Sequence, residues 1–280
     1  MAIKKKAKKK VSKKKGRTPK ARAKAKPAPE NNAEQQTLDD LLSSVGFEGA
    51  SASSYAMPFL RILQKLSPEV DEDDAAYVEG AEAGMIIHTI TKELYEEVSI
   101  VPLQYKDSYI EWIPRTSGGG FVRELEFPSQ RTGEILATCT KDENKNILPN
   151  GNELKLHSSY FCALEEQDGE FTPVLISMSS SQLKTSRNWM SQMQTMKIEY
   201  EGKTYPAKNI RSYQWTMSTE KLENDKGKWY GWVVEAENNT LALPHLGELQ
   251  NNVRQAVSSN LLTYDRDQQS GDGADTENAL

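Results

Sequence analysis

Val98–Arg123 reads VSIVPLQYKDSYIEWIPRTSGGGFVR. Val98 and Ile100 alternate onto one face, and further on Tyr109, Glu111 and Ile113 oppose Ile110 and Trp112, the period of two that marks strands. Lys106-Asp107-Ser108 is expected to turn between two paired strands, ahead of the flexible Gly118-Gly119-Gly120. Tyr105, Tyr109, Trp112 and Phe121 sit among Lys106, Arg115 and Arg123. Aromatic faces stack on bases and cations track phosphates, the combination a groove for single-stranded nucleic acid needs. The plainer alternative is that aromatic residues are ordinary strand formers and cations are ordinary on the wet face of a sheet.

The charges outside this stretch are unevenly spread. Of 35 basic residues, 14 fall in Met1–Lys26 with no acid among them, so the remaining chain carries 21 basic against 40 acidic residues, or −19. One end is a polycation and the body a polyanion. Beyond a Debye length, about 8 Å at physiological salt, such a body repels a phosphate backbone. Binding through the body therefore requires a local basic cleft, while duplex DNA, with its higher charge density, would need the basic tail. Residues 1–36 read as a disordered basic arm, since a Lys/Ala/Arg tract closed by Pro27 and Pro29 cannot bury a core and repels itself into an extended chain. A phosphate-binding arm and a nuclear localisation signal share this composition.

Residues 37–264 read as one mostly β domain with flanking helices. Asp39 and Asp40 mark the first turn of a short helix from Thr37. Strands are expected at Leu60–Leu66, at Met85–Thr91 and at Glu134–Thr140. A loop is expected over Asp142–Gly151, then a hairpin of Tyr160–Leu164 with Thr172–Met178 around Asp168-Gly169. Ser179–Ser181 offer N-cap hydroxyls for a helix over Gln182–Gln194. Leu183, Ser186, Trp189, Met190 and Met193 share one arc of it, and Lys184, Arg187, Asn188 and Ser191 the other. Strands then follow at Met196–Tyr200, Asn209–Met217 and Lys228–Glu235. The last two hold Tyr213, Trp215, Trp229, Tyr230 and Trp232 near Lys208, Arg211, Lys226 and Lys228, so three of the five tryptophans lie together. Such a cluster suits either a binding surface or an aromatic core. A final helix from Pro244 carries Leu246, Leu249, Val253, Val257 and Leu261 on one stripe. Residues 265–280 read as a disordered acidic tail.

The chemistry of an enzyme is not visible. His88, His157 and His245 are scattered, and Asp71, Asp73 and Asp74 lack the glycine and distal glutamate of a calcium loop. Neither metal nor cofactor is expected. Cys139 and Cys162, each in a strand-like run, are expected to be reduced and buried. No long apolar run predicts a membrane span and no signal-peptide core follows the basic start, which points to a cytoplasmic protein.

The succession PFLRILQKLSP, EGAEAGMIIHT, VPLQYKDSYIEWIPR with GGGF, and SSSQLKTSRNWMSQM resembles a group of bacteriophage single-stranded DNA-binding proteins over most of Pro58–Glu235. The resemblance implies an oligonucleotide-binding (OB-fold) β-barrel with no catalysis of its own, coating single-stranded DNA during replication and recombination in the host cytoplasm. It also implies an acidic C-terminal tail that recruits partner proteins. The tail here ends in ENAL and departs from that pattern. The expected site is Lys106, Tyr109, Trp112, Arg115, Lys184, Arg187, Arg211, Tyr213, Trp215, Trp229 and Trp232, aromatics for bases and cations for phosphates. The competing expectation is a DNA-compacting or virion protein acting through its basic arm.

Overall fold

The computed structural model describes residues 56–259 apart from 143, 144, 168 and 226. The strands in chain order begin with β1 (Leu60–Ile62), β2 (Ile86–His88), β3 (Leu94–Tyr95), β4 (Val98–Trp112) and β5 (Phe121–Phe127). Helix α1 (Gln130–Thr138) leads into β6 (Thr140–Asp142), β7 (Lys145–Ile147), β8 (Glu153–Glu165) and β9 (Phe171–Ser179). Helix α2 (Leu183–Thr195) precedes β10 (Lys197–Tyr200), β11 (Lys203–Pro206), β12 (Tyr213–Asn224), β13 (Gly227–Asn239) and α3 (Leu246–Ser258). The expected helix from Thr37, the basic arm 1–36 and the acidic tail 265–280 lie outside the described residues.

Strand β4 is the spine. It pairs antiparallel with β8 from Ile100↔Leu164 to Trp112↔Glu153. Along its other edge it meets first β12, at Trp215↔Ile100, and then β5, at Tyr109↔Leu125. The register slips between Pro102 and Gln104, where a proline that has no N–H to give is tolerated in a central strand because a bulge removes the demand. Changing partners halfway curls the antiparallel sheet into a half-barrel.

The expected turn at Lys106-Asp107-Ser108 does not exist: these residues pair with Ser159, Ser158 and His157, and the strand runs straight through. The bulge had broken the alternation and imitated a turn. The chain reverses instead at Gly118, Gly119 and Gly120, all three at positive φ, a conformation open to residues without a Cβ. Glu134–Thr140 is also corrected, because most of it belongs to α1. Ile135, Leu136 and Cys139 pack towards Tyr109, Leu125 and Leu154, and Ser129 caps the helix by accepting the Thr132 N–H. Cys139 thus ends a helix and is half-buried, whereas Cys162 is buried in β8; both are free. Part of Asp142–Gly151 forms β7, and Asn209–Met217 opens with a 3-10 turn before β12.

The half-barrel encloses Leu60, Ile62, Ile86, Ile100, Tyr160, Ile176, Trp215, Met217 and Trp232, with Trp189 and Met193 of α2 inserted among them. The helix stripe read from sequence is therefore the buried one. On the opposite sheet face Leu246 and Val253 of α3 cover Val101, Leu103, Phe161 and Leu175. The gap between β9 and β13 is spanned by the small β1–β2–β3 sheet, through a bridge from Phe59 to Leu175.

Two glutamines finish the closure. Gln64 donates through Nε2 to the Tyr230 carbonyl at 3.0 Å and accepts the Tyr230 N–H at 2.9 Å. Gln182 accepts the Trp232 N–H at 3.2 Å. Side-chain amides thus supply the β13 edge with bonds a further strand would have made, and an exposed pairing edge is blocked. Beside them the Tyr230 ring lies close against Gly84, where a Cβ would meet the ring at 2.6 Å and φ is +103°. Overpacking costs about 1–3 kcal/mol and a left-handed φ about 1–2 kcal/mol more. Gly84→Ala is therefore expected to lose about 2–5 kcal/mol in denaturant unfolding, and unchanged stability would mean that Tyr230 swings away freely.

Candidate nucleic-acid interface

The eleven residues expected to bind nucleic acid do not share a surface. Trp215 has no exposed area and Trp232 is 4% exposed; both belong to the half-barrel interior, so neither ring offers a face to a base. Trp112, 8% exposed, packs edge-on against Phe121 and near His157. Trp229 is half-buried on the other face of the same hairpin. Tyr109 is half-buried with its ring edge-to-face against Phe127. Lys106 is ion-paired to Glu124 at 3.2 Å. Arg211 donates through Nε to Gln250 Oε1 at 3.1 Å, tying the start of β12 to α3. Tyr213 donates its hydroxyl to the Lys197 carbonyl at 2.6 Å. Arg115 follows β4 in a 3-10 turn, and its side chain lies outside the described residues.

Two expected residues remain well placed. Lys184 and Arg187 stand exposed on the outer arc of α2, and among the described residues neither is ion-paired. The chain runs from α2 directly into the β10–β11 hairpin. Its turn, Glu201-Gly202, has φ of +50° and +72°, the left-handed pair of a two-residue hairpin that matches strand twist. The register Ile198↔Tyr205 and Tyr200↔Lys203 puts Ile198, Tyr200, Lys203 and Tyr205 on one face. Tyr200 is 52% and Tyr205 46% exposed. Over residues 182–208 the chain holds five basic residues, Lys184, Arg187, Lys197, Lys203 and Lys208, against two acidic ones, Glu199 and Glu201. A net-positive segment is thus carried by an acidic body. The hairpin tyrosines escaped the sequence reading, although the alternation KIEY-EG-KTYP was there to be seen.

A family model described as Pam3 phage gp34-like protein matches residues 6–259. The chain belongs to that phage protein family. No curated protein and no solved structure matches it. The matched span runs to residue 259 and so takes in every strand and helix described above.

A polar network fastens α2 to the sheet. The Tyr160 hydroxyl donates to the Ser186 carbonyl at 3.0 Å and lies 2.8 Å from Ser186 Oγ. Alongside, Tyr105 donates to Asp107 Oδ1 at 2.6 Å and Ser158 Oγ donates to the same oxygen at 2.8 Å. Burial, with the Asp107 hydrogen bond, pushes the Tyr105 phenol up to about 12, so the phenol keeps its proton and its donor role near neutrality. The inner arc of α2 is held, and its Lys184–Arg187 side stays outward. At the far end of β4, burial pushes the Glu111 carboxyl up, but hydrogen bonds from Asn152, Asn150 and Arg123 outweigh it and hold the group below its usual range. That carboxylate is committed to structure. Among the described residues no group of three or more His, Cys, Asp or Glu is placed to hold a metal, and no helix is long and apolar enough to cross a membrane.

Proposed function

We propose that this phage protein is a single-stranded DNA-binding protein without catalytic activity, coating unpaired DNA during replication or recombination. The observation that carries this reading is the juxtaposition of unpaired cations and exposed tyrosines along α2 and β10–β11 in a body that is otherwise acidic. On this reading the curled sheet acts as an oligonucleotide-binding barrel whose rim presents α2 and the hairpin. The acidic residues 265–280 would serve for recruiting replication or recombination proteins, since their charge opposes direct contact with phosphate. The competing reading, compaction of DNA through the arm, is supported by the 14 basic residues of Met1–Lys26.

Fluorescence anisotropy with labelled oligo-dT and a duplex of equal length separates the two. Tryptophan quenching would be a poor substitute because Trp112, Trp189, Trp215 and Trp232 are buried. A chain starting at Asn31 is expected to retain oligo-dT binding with a shallower salt dependence, each lost phosphate contact reducing the slope by about 0.7 for a single strand. Duplex binding should fall further than single-strand binding. Loss of oligo-dT binding together with the arm would overturn the cleft reading in favour of compaction.

A further inference from the structure

We infer that the β10–β11 hairpin is a base-stacking finger, in which Tyr200 and Tyr205 take successive unpaired bases and Lys203 meets the phosphate between them. The inference rests on the proposed single-strand binding and names the residues and the class of ligand: a strand with at least two unstacked bases and no required sequence. Among the described residues the other tyrosines are structurally occupied, apart from Tyr77, 37% exposed in the segment between β1 and β2. Tyr105 and Tyr160 pack on each other at 4.9 Å, Tyr109 on Phe127, Tyr230 on Gly84, and the Tyr95 and Tyr213 hydroxyls have acceptors. Tyr200 and Tyr205 differ. Among the described residues neither phenol hydrogen-bonds and neither ring meets another aromatic ring, while about half of each is in water.

The backbone arrangement suits the task. Tyr205 is the diagonal neighbour of Tyr200 on the same face, and diagonal positions across an antiparallel pair lie roughly 7–8 Å apart, within the reach of adjacent nucleotides. Lys203, directly opposite Tyr200, has no carboxylate partner among the described residues. The base of the finger is firm. Ala207 donates to the Met196 carbonyl at 2.9 Å, Met196 packs on the half-barrel core, and Tyr213 clamps the Lys197 carbonyl. Tyr213 is on this account a positioning residue rather than a stacking one. From Lys197 to Pro206 every residue but the half-buried Ile198 is exposed, so the hairpin projects into water with both tyrosines on one face. The occupant is nucleic acid rather than an acidic peptide because the cations are few and spread along the strand direction, whereas the large exposed apolar side chains of the hairpin are two aromatic rings, and aromatic rings stack on any base. Paired bases in a duplex present edges only, so the finger selects unpaired DNA.

The test uses the full-length protein and a labelled dT oligonucleotide. Tyr200→Ala and Tyr205→Ala should each weaken binding about five- to 150-fold, the range for one base–aromatic stack, with an unchanged salt slope. Tyr200→Phe and Tyr205→Phe should stay within about twofold, because stacking needs the ring and not the hydroxyl. Lys203→Ala should weaken binding less and lower the salt slope by about 0.7. Photocrosslinking with 5-iododeoxyuridine should attach to the hairpin. If the wild type binds and the double Tyr→Ala variant, with an unaltered circular dichroism spectrum, binds equally well, the finger is no stacking surface although the proposed function stands. If the double variant loses self-association by sedimentation and keeps its DNA affinity, the face joins copies of the chain, and the inference is overturned. Failure of the wild type to bind oligo-dT removes the proposed function and this inference with it.

Discussion

Trp215→Ala should lower stability by about 3–5 kcal/mol, as removal of a fully buried large aromatic does. The indole of Trp215 stands edge-to-face on Trp189 with centroids 5.8 Å apart, and Trp189 packs on Tyr160 at 4.2 Å. These rings join β12, α2 and β8 across the interior, and the void left by one indole is walled by rigid neighbours that collapse poorly. At about 2–4 °C per kcal/mol for a domain of this size, thermal unfolding should shift down by about 6–20 °C. Any accompanying loss of the proposed DNA binding would track loss of fold, unlike the effect expected at the proposed stacking tyrosines. Trp215→Phe should cost much less, because the Trp215 Nε1 is buried without an acceptor among the described residues and phenylalanine removes that unsatisfied donor. A Trp215→Ala protein with wild-type stability would show that the interior repacks and that the ring is not structurally required.

Trp215 also marks what the sequence could convey. Strand alternation, the two arcs of α2 and the Leu246–Val253 stripe were legible because each face has one solvent, water or core, and the side chains record it. The aromatic clusters were not, since a tryptophan on a strand has the same local signature whether it lines a groove or the inside of a curled sheet. Its fate is decided by what crosses over it, here α2 and the β1–β2–β3 sheet, and that is a property of distant segments. The same holds for Lys106 and Arg211, whose partners Glu124 and Gln250 lie 18 and 39 residues away. In the Pro102–Gln104 bulge one offset residue shifted the apparent period and created a false turn. The β10–β11 tyrosines failed to stand out for the opposite reason. Two residues in a polar hairpin form no dense aromatic run, and it is their lack of a structural partner, visible only in the fold, that distinguishes them.

Arg61→Ala is expected to be comparably severe, at about 3–5 kcal/mol, because it breaks one half of a buried ion pair. Arg61 sits on β1 with its guanidinium donating to Glu69, and the two side chains are 5% and 8% exposed. Neighbouring Leu60 and Ile62 point into the half-barrel, while Glu69 lies in the turn whose carbonyl accepts the Val78 N–H. Truncating the arginine leaves the Glu69 carboxylate buried without its cation. The penalty comes chiefly from that stranded charge, so Arg61→Met combined with Glu69→Leu should be far milder than Arg61→Ala and close to wild type. The damage should also spread along the chain. Gln64, three residues beyond Arg61, holds the Tyr230 backbone, and Gly84 accepts from Thr219. Loosening β1 therefore frees the β13 edge and opens the half-barrel on that side. Limited proteolysis of Arg61→Ala should cut within residues 56–95 and hydrogen exchange should rise at Tyr230, whereas the double variant restores protection. Equal destabilisation in the single and double variants would assign the loss to shape rather than to charge, and equal protection at Tyr230 in all three proteins would detach β1 from closure of the sheet.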